Sequence, residues 1–117
     1  MKQLRYGMLS TSSIAPRFIA AVREAKAGTI VALSADEAYT NTTGNAGMAT
    51  GGSGDVLTGV IAALAGYGID PFDAAAVGAY MHGLAGDIAA ERYGQWGMTA
   101  VEIEESLPAA FKKVVGK

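Results

Sequence analysis

The apolar positions in the first third of the chain predict a strand, a helix and a second strand. Residues 4–9 form a short, mainly apolar run that is typical of a buried strand. Across residues 14–26 the apolar side chains recur at helical spacing, and Gly28 ends this pattern. Residues 29–33 are apolar or β-branched without interruption, as in a strand buried on both faces. The chain therefore opens as β-α-β.

The remaining pattern predicts a short strand, a glycine-rich loop and three helices. The strand is expected at residues 38–40 and the loop at 41–53. The helices are expected at 55–67, at 71–93 after an Asp70 cap, and at 99–114 after a capping box, where Pro108 should interrupt the last helix. We expect one α/β domain, a small layered sandwich with a short, mainly parallel sheet in the order β-α-β-(β)-α-α-α.

Composition narrows the class of function. The 117 residues are 50% hydrophobic, which indicates a globular domain, and a net charge of -2 gives no footprint for nucleic acid or an anionic membrane. The absence of cysteine and the single histidine argue against disulfides and clustered metal ligands. No apolar run reaches the ~20 residues that cross a bilayer, and the start lacks a signal-peptide pattern. We expect a cytoplasmic protein without a cysteine or clustered-histidine metal site and without nucleic-acid or membrane partners.

The densest chemical signal is the glycine-rich stretch at residues 47–59, which leads directly into an apolar helix. Successive glycines let backbone N–H groups converge on an anion, and a helix N-terminus adds partial positive charge. Asp55 lies in the first turn, where it can cap the helix or, beside a bound phosphate, take a proton from an attacking hydroxyl. The residues alone leave both roles open.

Four stretches of the chain resemble the ADP-dependent NAD(P)H-hydrate dehydratases of the ribokinase-like superfamily. They read NTTGN at 41–45, GMATGGSGDVL at 47–57, YMHGLAGD at 80–87 and GMTA at 97–100. The resemblance extends over about residues 26–117, with one departure at Ala46, where the family usually has proline. It implies an enzyme that uses ADP or ATP with magnesium to phosphorylate the hydroxyl of hydrated NADH or NADPH, so that this oxygen leaves as phosphate.

The same resemblance implies roles for individual residues. Asp55 would be the catalytic base. Nucleotide binding would fall to residues in and before the turn, namely Gly51, Gly52, Ser53, Gly54, Asn45 and Lys26. Of these, Lys26 matches the family's Lys-Gly turn only in an imperfect register.

The N-terminal segment resembles a different family. Residues 4–18, LRYGMLSTSSIAPRF, are similar to the first β-α unit of the glucose-fructose oxidoreductase and inositol dehydrogenase family, whose Rossmann domains bind NAD(P). Only Gly7 of the three-glycine fingerprint is present, residues 10–13 offer hydroxyl groups instead, and Asp36 follows the second strand. The two resemblances suggest a chimeric or engineered chain, Rossmann-like over 1–36 and ribokinase-like over 37–117.

For such a chain we expect phosphate binding to be retained and turnover to be lost, because the family residues that would enclose the nicotinamide have no counterpart in it. Two alternatives remain. One is a purely structural chimera without a ligand, and the other is an NAD(P)-binding module that uses residues 10–13.

Small and polar side chains of the helix at 71–93 are expected to be structural. His82 should be packed and hydrogen-bonded, and Gly78, Gly83 and Gly86 should allow close packing against the helix at 55–67. Asp87, with Glu91 one turn later, is read as part of a solvated face.

The aromatic residues Tyr93 and Trp96 could pack the loop between the last two helices or line a partner surface, and packing is the preferred expectation. Apolar surface at the edge of a truncated sheet would favour a homodimer.

Overall fold

A computed structural model describes the backbone of residues 29–33 and the whole of residues 37–116. The described elements, in chain order, are β1 (Thr29–Leu33), β2 (Ala38–Asn41), a 3-10 turn (Ala46–Met48), α1 (Ser53–Gly66), α2 (Pro71–Gly97), α3 (Ala100–Glu105) and α4 (Leu107–Val115). The strand expected at 4–9 and the helix expected at 14–26 lie outside the described residues.

The two strands form an antiparallel pair. Thr29 lies opposite Asn41 and Leu33 opposite Ala38, with an irregularity between Ile30 and Ala32. The expectation of a mainly parallel sheet is therefore wrong for this pair. Only residues 34–37 join the strands, whereas a parallel pair needs a crossover connection of roughly a dozen residues or more. The described part of the chain is mostly helical, so it matches a layered α/β sandwich only loosely.

The helix that follows the glycine-rich loop confirms the predicted pattern and begins slightly earlier. Its N-cap is Gly52, whose φ of 86° and ψ of -14° lie in the left-handed region that favours glycine. At the other end the chain leaves α1 through Tyr67 and Gly68, where a second left-handed glycine (φ 88°) ends the helix as expected.

The long helix α2 begins at the predicted cap. The amide of Phe72 donates to Oδ2 of Asp70 at 3.0 Å, and Pro71 occupies the first turn. Helical geometry is broken at Gly94 (φ 71°, ψ 159°), directly after the predicted end near Tyr93. The described part of the chain contains no helix that is long and apolar enough to cross a membrane.

The last predicted helix is divided in two, as Pro108 requires. Thr99 and Glu102 form the predicted capping box, with the Thr99 amide donating to Glu102 Oε2 at 2.6 Å. α3 ends before Ser106, and Pro108 lies in the first turn of α4.

The core is arranged around α2. It consists of small and sulfur-containing side chains from α2 together with residues from the loop and from the last two helices, namely Met48, Met81, Ala85, Ala89, Met98, Ile103 and Ala110. Because alanine and glycine line much of the buried face of α2, neighbouring segments approach its backbone closely. This close packing fixes the loop at residues 43–48 against α2, just before the glycine-rich turn.

Candidate phosphate-binding turn

The turn at residues 50–55 presents backbone N–H groups at the start of α1. Within it the Ser53 amide donates to the Thr50 carbonyl at 3.3 Å, and the Asp55 amide donates to the Gly52 carbonyl at 3.1 Å. In the described part of the chain the amides of Gly51, Gly52 and Gly54 have no hydrogen-bond partner. Three N–H donors near the positive end of a helix are therefore available to an anion.

Space around the turn is also suited to a ligand. A Cβ atom built on Gly51 or on Gly54 would meet no atom within 4 Å, and both residues are exposed. Gly52 is different, since a Cβ there would lie 3.2 Å from the Ala100 Cβ. Gly51 and Gly54 thus face open space, while Gly52 packs against the start of α3.

Asp55 is exposed in the first turn of α1 and does not act as a side-chain cap. The N-cap position belongs to Gly52, and α1 has no side-chain capping hydrogen bond. The Asp55 carboxylate instead borders an open groove between α1 and the last two helices. The groove is lined mainly by apolar side chains, namely Val56, Val60, Leu64, Leu107 and Phe111. The role of Asp55 as a side-chain cap is therefore not supported, and its role as a base stays a prediction.

Ser53 faces inward. Its side chain is 1% exposed, and its Oγ lies 3.4 Å from Nε2 of His82 in α2. His82 is itself 5% exposed, so the expectation that it is a packed, hydrogen-bonded histidine is confirmed. The Ser53 hydroxyl therefore anchors the turn to α2 from below.

Asn45 holds the loop together through both ends of its side-chain amide. Its Oδ1 accepts from the Gly47 amide at 3.0 Å, and its Nδ2 donates to Oδ1 of Asp87 at 2.9 Å. The other carboxylate oxygen of Asp87 accepts from the Gly44 amide at 3.0 Å. A direct contact between Asn45 and a nucleotide stays a prediction, because these bonds describe a role within the loop.

The interpretation of Asp87 as part of a solvated face is corrected by these contacts. Its carboxylate is half-buried and receives two N–H donors from the glycine-rich loop. Periodicity along α2 could not indicate this, because the partners lie more than 40 residues earlier in the chain. Glu91, one turn further along α2, is exposed as expected.

The glycines of α2 serve partly as sites where the loop docks. Gly78 lies against Ile61 of α1, with a built Cβ 2.6 Å from the Ile61 Cγ1, as expected for close helix packing. Gly83 instead lies against Thr43, and Gly86 lies against the Met48 side chain. The expectation that all three pack against α1 is therefore wrong for Gly83 and Gly86, because the loop folds back over α2 at these two positions.

Side-chain hydrogen bonds fix the start of the loop to the same helix. The Thr43 hydroxyl donates to the Tyr80 carbonyl at 2.8 Å, and Asn41 Nδ2 donates to the Ala79 carbonyl at 3.3 Å. The sequence motif contained both polar residues, but their helical partners could not be read from it.

The expected packing of two aromatic side chains is also corrected. Trp96 is fully exposed and Tyr93 is 50% exposed. The reason is the break at Gly94, after which the backbone itself, at Gln95, packs against Gly47 of the loop.

Comparison with models of known protein families identifies the family of this chain. The family model described as NAD(P)H-hydrate dehydratase matches residues 9–109. The chain belongs to the NAD(P)H-hydrate dehydratase family. The match contains all of the glycine-rich turn and the part of α2 that holds it. It also begins inside the segment that resembles the oxidoreductases, so it gives no support to a Rossmann unit or to a chimeric origin.

Curated relatives agree with this assignment. The chain is 52% identical over 88 residues to a bifunctional NAD(P)H-hydrate repair enzyme of Moorella thermoacetica. The aligned residues are 75% of this chain and 17% of that protein. It is 48% identical over 81 residues to the Escherichia coli enzyme of the same name, covering 69% of this chain and 16% of the relative. An ADP-dependent (S)-NAD(P)H-hydrate dehydratase of Neisseria meningitidis is 50% identical over 66 residues, covering 56% and 22%. No solved structure matches the chain.

Some predicted site residues lie outside the described residues. These are Lys26, Asp36 and the hydroxyl residues at 10–13. Among the residues that the structure describes, no three His, Cys, Asp or Glu side chains form a group that could hold a metal ion.

Proposed function

We propose that the turn at residues 51–54 binds the terminal phosphates of ADP or ATP. The observation that carries this proposal is that the amides of Gly51, Gly52 and Gly54 have no partner among the described residues, with open space beside Gly51 and Gly54. An anion recruits such donors without a cationic side chain, because the helix N-terminus supplies partial positive charge. Family membership and the ADP dependence named for the Neisseria meningitidis relative support a nucleotide as the source of that anion.

Asp55 is the proposed catalytic base. The Asp55 carboxylate would take the proton from the added hydroxyl of a hydrated nicotinamide nucleotide, while the hydroxyl oxygen attacks the terminal phosphorus of ADP or ATP. The attack would break the bond between that phosphorus and its bridging oxygen, so that AMP leaves from ADP or ADP leaves from ATP. The phosphorylated oxygen would then leave the ring as phosphate while the neighbouring ring carbon loses a proton to solvent, and this elimination restores the double bond of the nicotinamide ring. The exposed carboxylate at the first turn of α1, next to the free amides, supports this role.

Magnesium would arrive with the nucleotide in this proposal. The described residues hold no group of acidic or histidine side chains that could bind a metal on their own. Mg²⁺ is commonly held by nucleotide phosphates with only one or two protein carboxylates, so the nucleotide itself would supply most of its ligands.

We further propose that this chain binds nucleotide without normal turnover. Catalysis requires that hydroxyl, base and phosphate be held together in one geometry, and the groove beside Asp55 is open along its apolar length.

An NMR titration with matched glycine variants tests the phosphate site. ADP with magnesium should produce saturable shifts at the amides of residues 51–56. Gly54→Val should abolish these shifts, because a side chain there fills the space in front of the amides. Gly66→Val is the control, since Gly66 also lies in α1 with nothing within 4 Å of a built Cβ and does not line the groove beside Asp55. It introduces the same β-branched residue into the same helix, away from the turn.

Further ligands and variants separate the alternatives. Inorganic phosphate tests the anion alone, and NAD tests the oxidoreductase-like interpretation of residues 10–13. Asp55→Asn should leave ADP binding largely intact and should remove any single-turnover conversion of hydrated NADH. An absence of shifts with ADP in a folded protein would refute the proposed function, and shifts with NAD that Gly54→Val leaves unchanged would favour the NAD(P)-binding alternative.

A further inference from the structure

We infer that Asp87 is the positioning residue of the glycine-rich loop, acting from α2 through Gly44 and Asn45. Its Oδ2 accepts from the Gly44 amide at 3.0 Å, and its Oδ1 accepts from Asn45 Nδ2 at 2.9 Å. One carboxylate oxygen thus accepts from the backbone of the loop, and the other accepts from a side chain of the loop. A hydrogen bond to an ionised carboxylate is stronger than one between neutral groups, so these two contacts are well suited to hold a segment without regular structure.

The hydrogen bonds continue from Asp87 towards the phosphate-binding turn. Asn45, held by Asp87, accepts from the Gly47 amide with its side chain and from the Met48 amide with its backbone carbonyl at 3.2 Å. The Ala49 amide donates to the Ala46 carbonyl at 3.1 Å and closes the 3-10 turn. The next residue is Thr50, whose carbonyl accepts from the Ser53 amide at the start of α1.

Two further features make the position of the loop depend on this carboxylate. Gly44 has a φ of 102°, a left-handed conformation in which its N–H donates to Asp87. Met48, which is 4% exposed, packs against Gly86, the residue directly before Asp87. A polar and an apolar contact therefore meet at one point on α2, and the phosphate-binding amides follow a few residues later.

The arrangement of donors and acceptors predicts which exchanges at positions 45 and 87 break the hydrogen bonds and which exchange restores them. Asp87→Asn offers one acceptor where two donors arrive, so either Gly44 or Asn45 loses its partner. Asn45→Asp brings a second carboxylate against Asp87 and removes the Nδ2 donor. The double exchange, Asn45→Asp with Asp87→Asn, restores every bond: the new amide donates to the new carboxylate and accepts from Gly44, while the new carboxylate accepts from Gly47.

Amide hydrogen exchange on the protein without nucleotide measures directly how well the loop amides are protected in each variant. In each single variant the amides of Gly44, Gly47 and Met48 should exchange at least about tenfold faster than in the wild type, because a charge-assisted contact that closes the loop is lost. The double exchange should recover most of this protection. Glu91→Gln is the matched control: it removes an exposed carboxylate one turn away on α2 and should change nothing.

The consequence for ligand binding rests on the proposed phosphate site, whereas the positioning of the loop does not. ADP affinity should fall about tenfold or more in Asp87→Asn, in proportion to the loss of the ordered loop, and should be recovered in the double exchange. Wild-type protein that shows the expected exchange pattern but binds no ADP would refute the proposed function and leave the positioning role intact.

Two results would overturn the inference. The first is unchanged exchange at Gly44 and Gly47 in a folded Asp87→Asn protein. The second is a double exchange that is no better protected than the single variants, which would show that carboxylate and amide do not act as a pair. If Asp87→Asn fails to fold, the double exchange alone decides, because pairing predicts that it folds and a requirement for charge at position 87 predicts that it does not.

Discussion

Replacing Gly83 by alanine should destabilise the protein although alanine favours helices. A Cβ at this position would lie 2.8 Å from the Thr43 carbonyl carbon and 2.9 Å from its Cβ, so relief requires movement of the loop backbone. Intrinsic helix propensity favours the substitution by about 1 kcal/mol. Overpacking of a buried site costs about 1–3 kcal/mol, and displacement of Thr43 also threatens its hydrogen bond to the Tyr80 carbonyl, worth about 1 kcal/mol. The net expectation is a loss of about 1–3 kcal/mol.

The measurement is the free energy of unfolding in urea, compared with Gly59→Ala. Gly59 lies in α1 with open space around a built Cβ, so the same substitution there should increase the free energy of unfolding by about 0.5–1 kcal/mol. Opposite signs for two glycine-to-alanine changes in helices would identify the loop contact as the cause. If Gly83→Ala stabilises the protein as much as Gly59→Ala, the docking of Thr43 on α2 is refuted.

Three further expectations concern single contacts. The hydrogen bonds from Thr99 lower the pKa of Glu102 below its ordinary value of 4.5. The ionised carboxylate therefore stabilises the start of α3 at pH values above 4.5, and this stabilisation is lost as the pH falls through the lowered pKa of the folded state. An NMR titration of the α3 amides should show the loss, and Thr99→Ala should move it to a different pH. Ser53→Ala should cost about 1 kcal/mol through the lost contact with His82 and leave ADP-induced shifts in place; loss of those shifts would assign the hydroxyl to the ligand. Trp96 is the single tryptophan and is fully exposed, so acrylamide should quench its fluorescence readily, whereas protection that grows with protein concentration would support the predicted homodimer.

Much of the described fold could be predicted because its determinants are local. Asp70 with Pro71, the Thr99 capping box and Pro108 act on residues within a single helical turn, and the structure has each of them in its predicted role. Sheet direction was predicted wrongly because it was taken from a general architecture. The length of the connection between residues 33 and 38, which was visible in the sequence, would have indicated an antiparallel pair.

The candidate site could be predicted only on one side. The exposed glycines at 51 and 54 and the carboxylate of Asp55 lie in one continuous stretch, so the sequence alone indicates them as candidates, and their roles stay a prediction. Asp87 was missed because a carboxylate on a helix has the same local pattern whether it meets water or a distant loop. Similarly, glycines that admit a loop and glycines that admit a helix have the same spacing.

The hydrogen bonds of Asp87 give a physical reason why stretches that lie far apart in the sequence carry the family resemblance together. Residues 41–48 supply the loop, and residues 79–87 of α2 supply the surface on which it docks. Each side is incomplete alone: the loop lacks regular structure between β2 and the 3-10 turn, and the glycines at 83 and 86 leave a gap in α2 that Thr43 and Met48 fill. The YMHGLAGD segment therefore supports the loop that leads to the candidate phosphate-binding turn. On this view, substitutions at Gly83, Gly86 or Asp87 should affect nucleotide binding through the loop, without contact between these residues and the ligand.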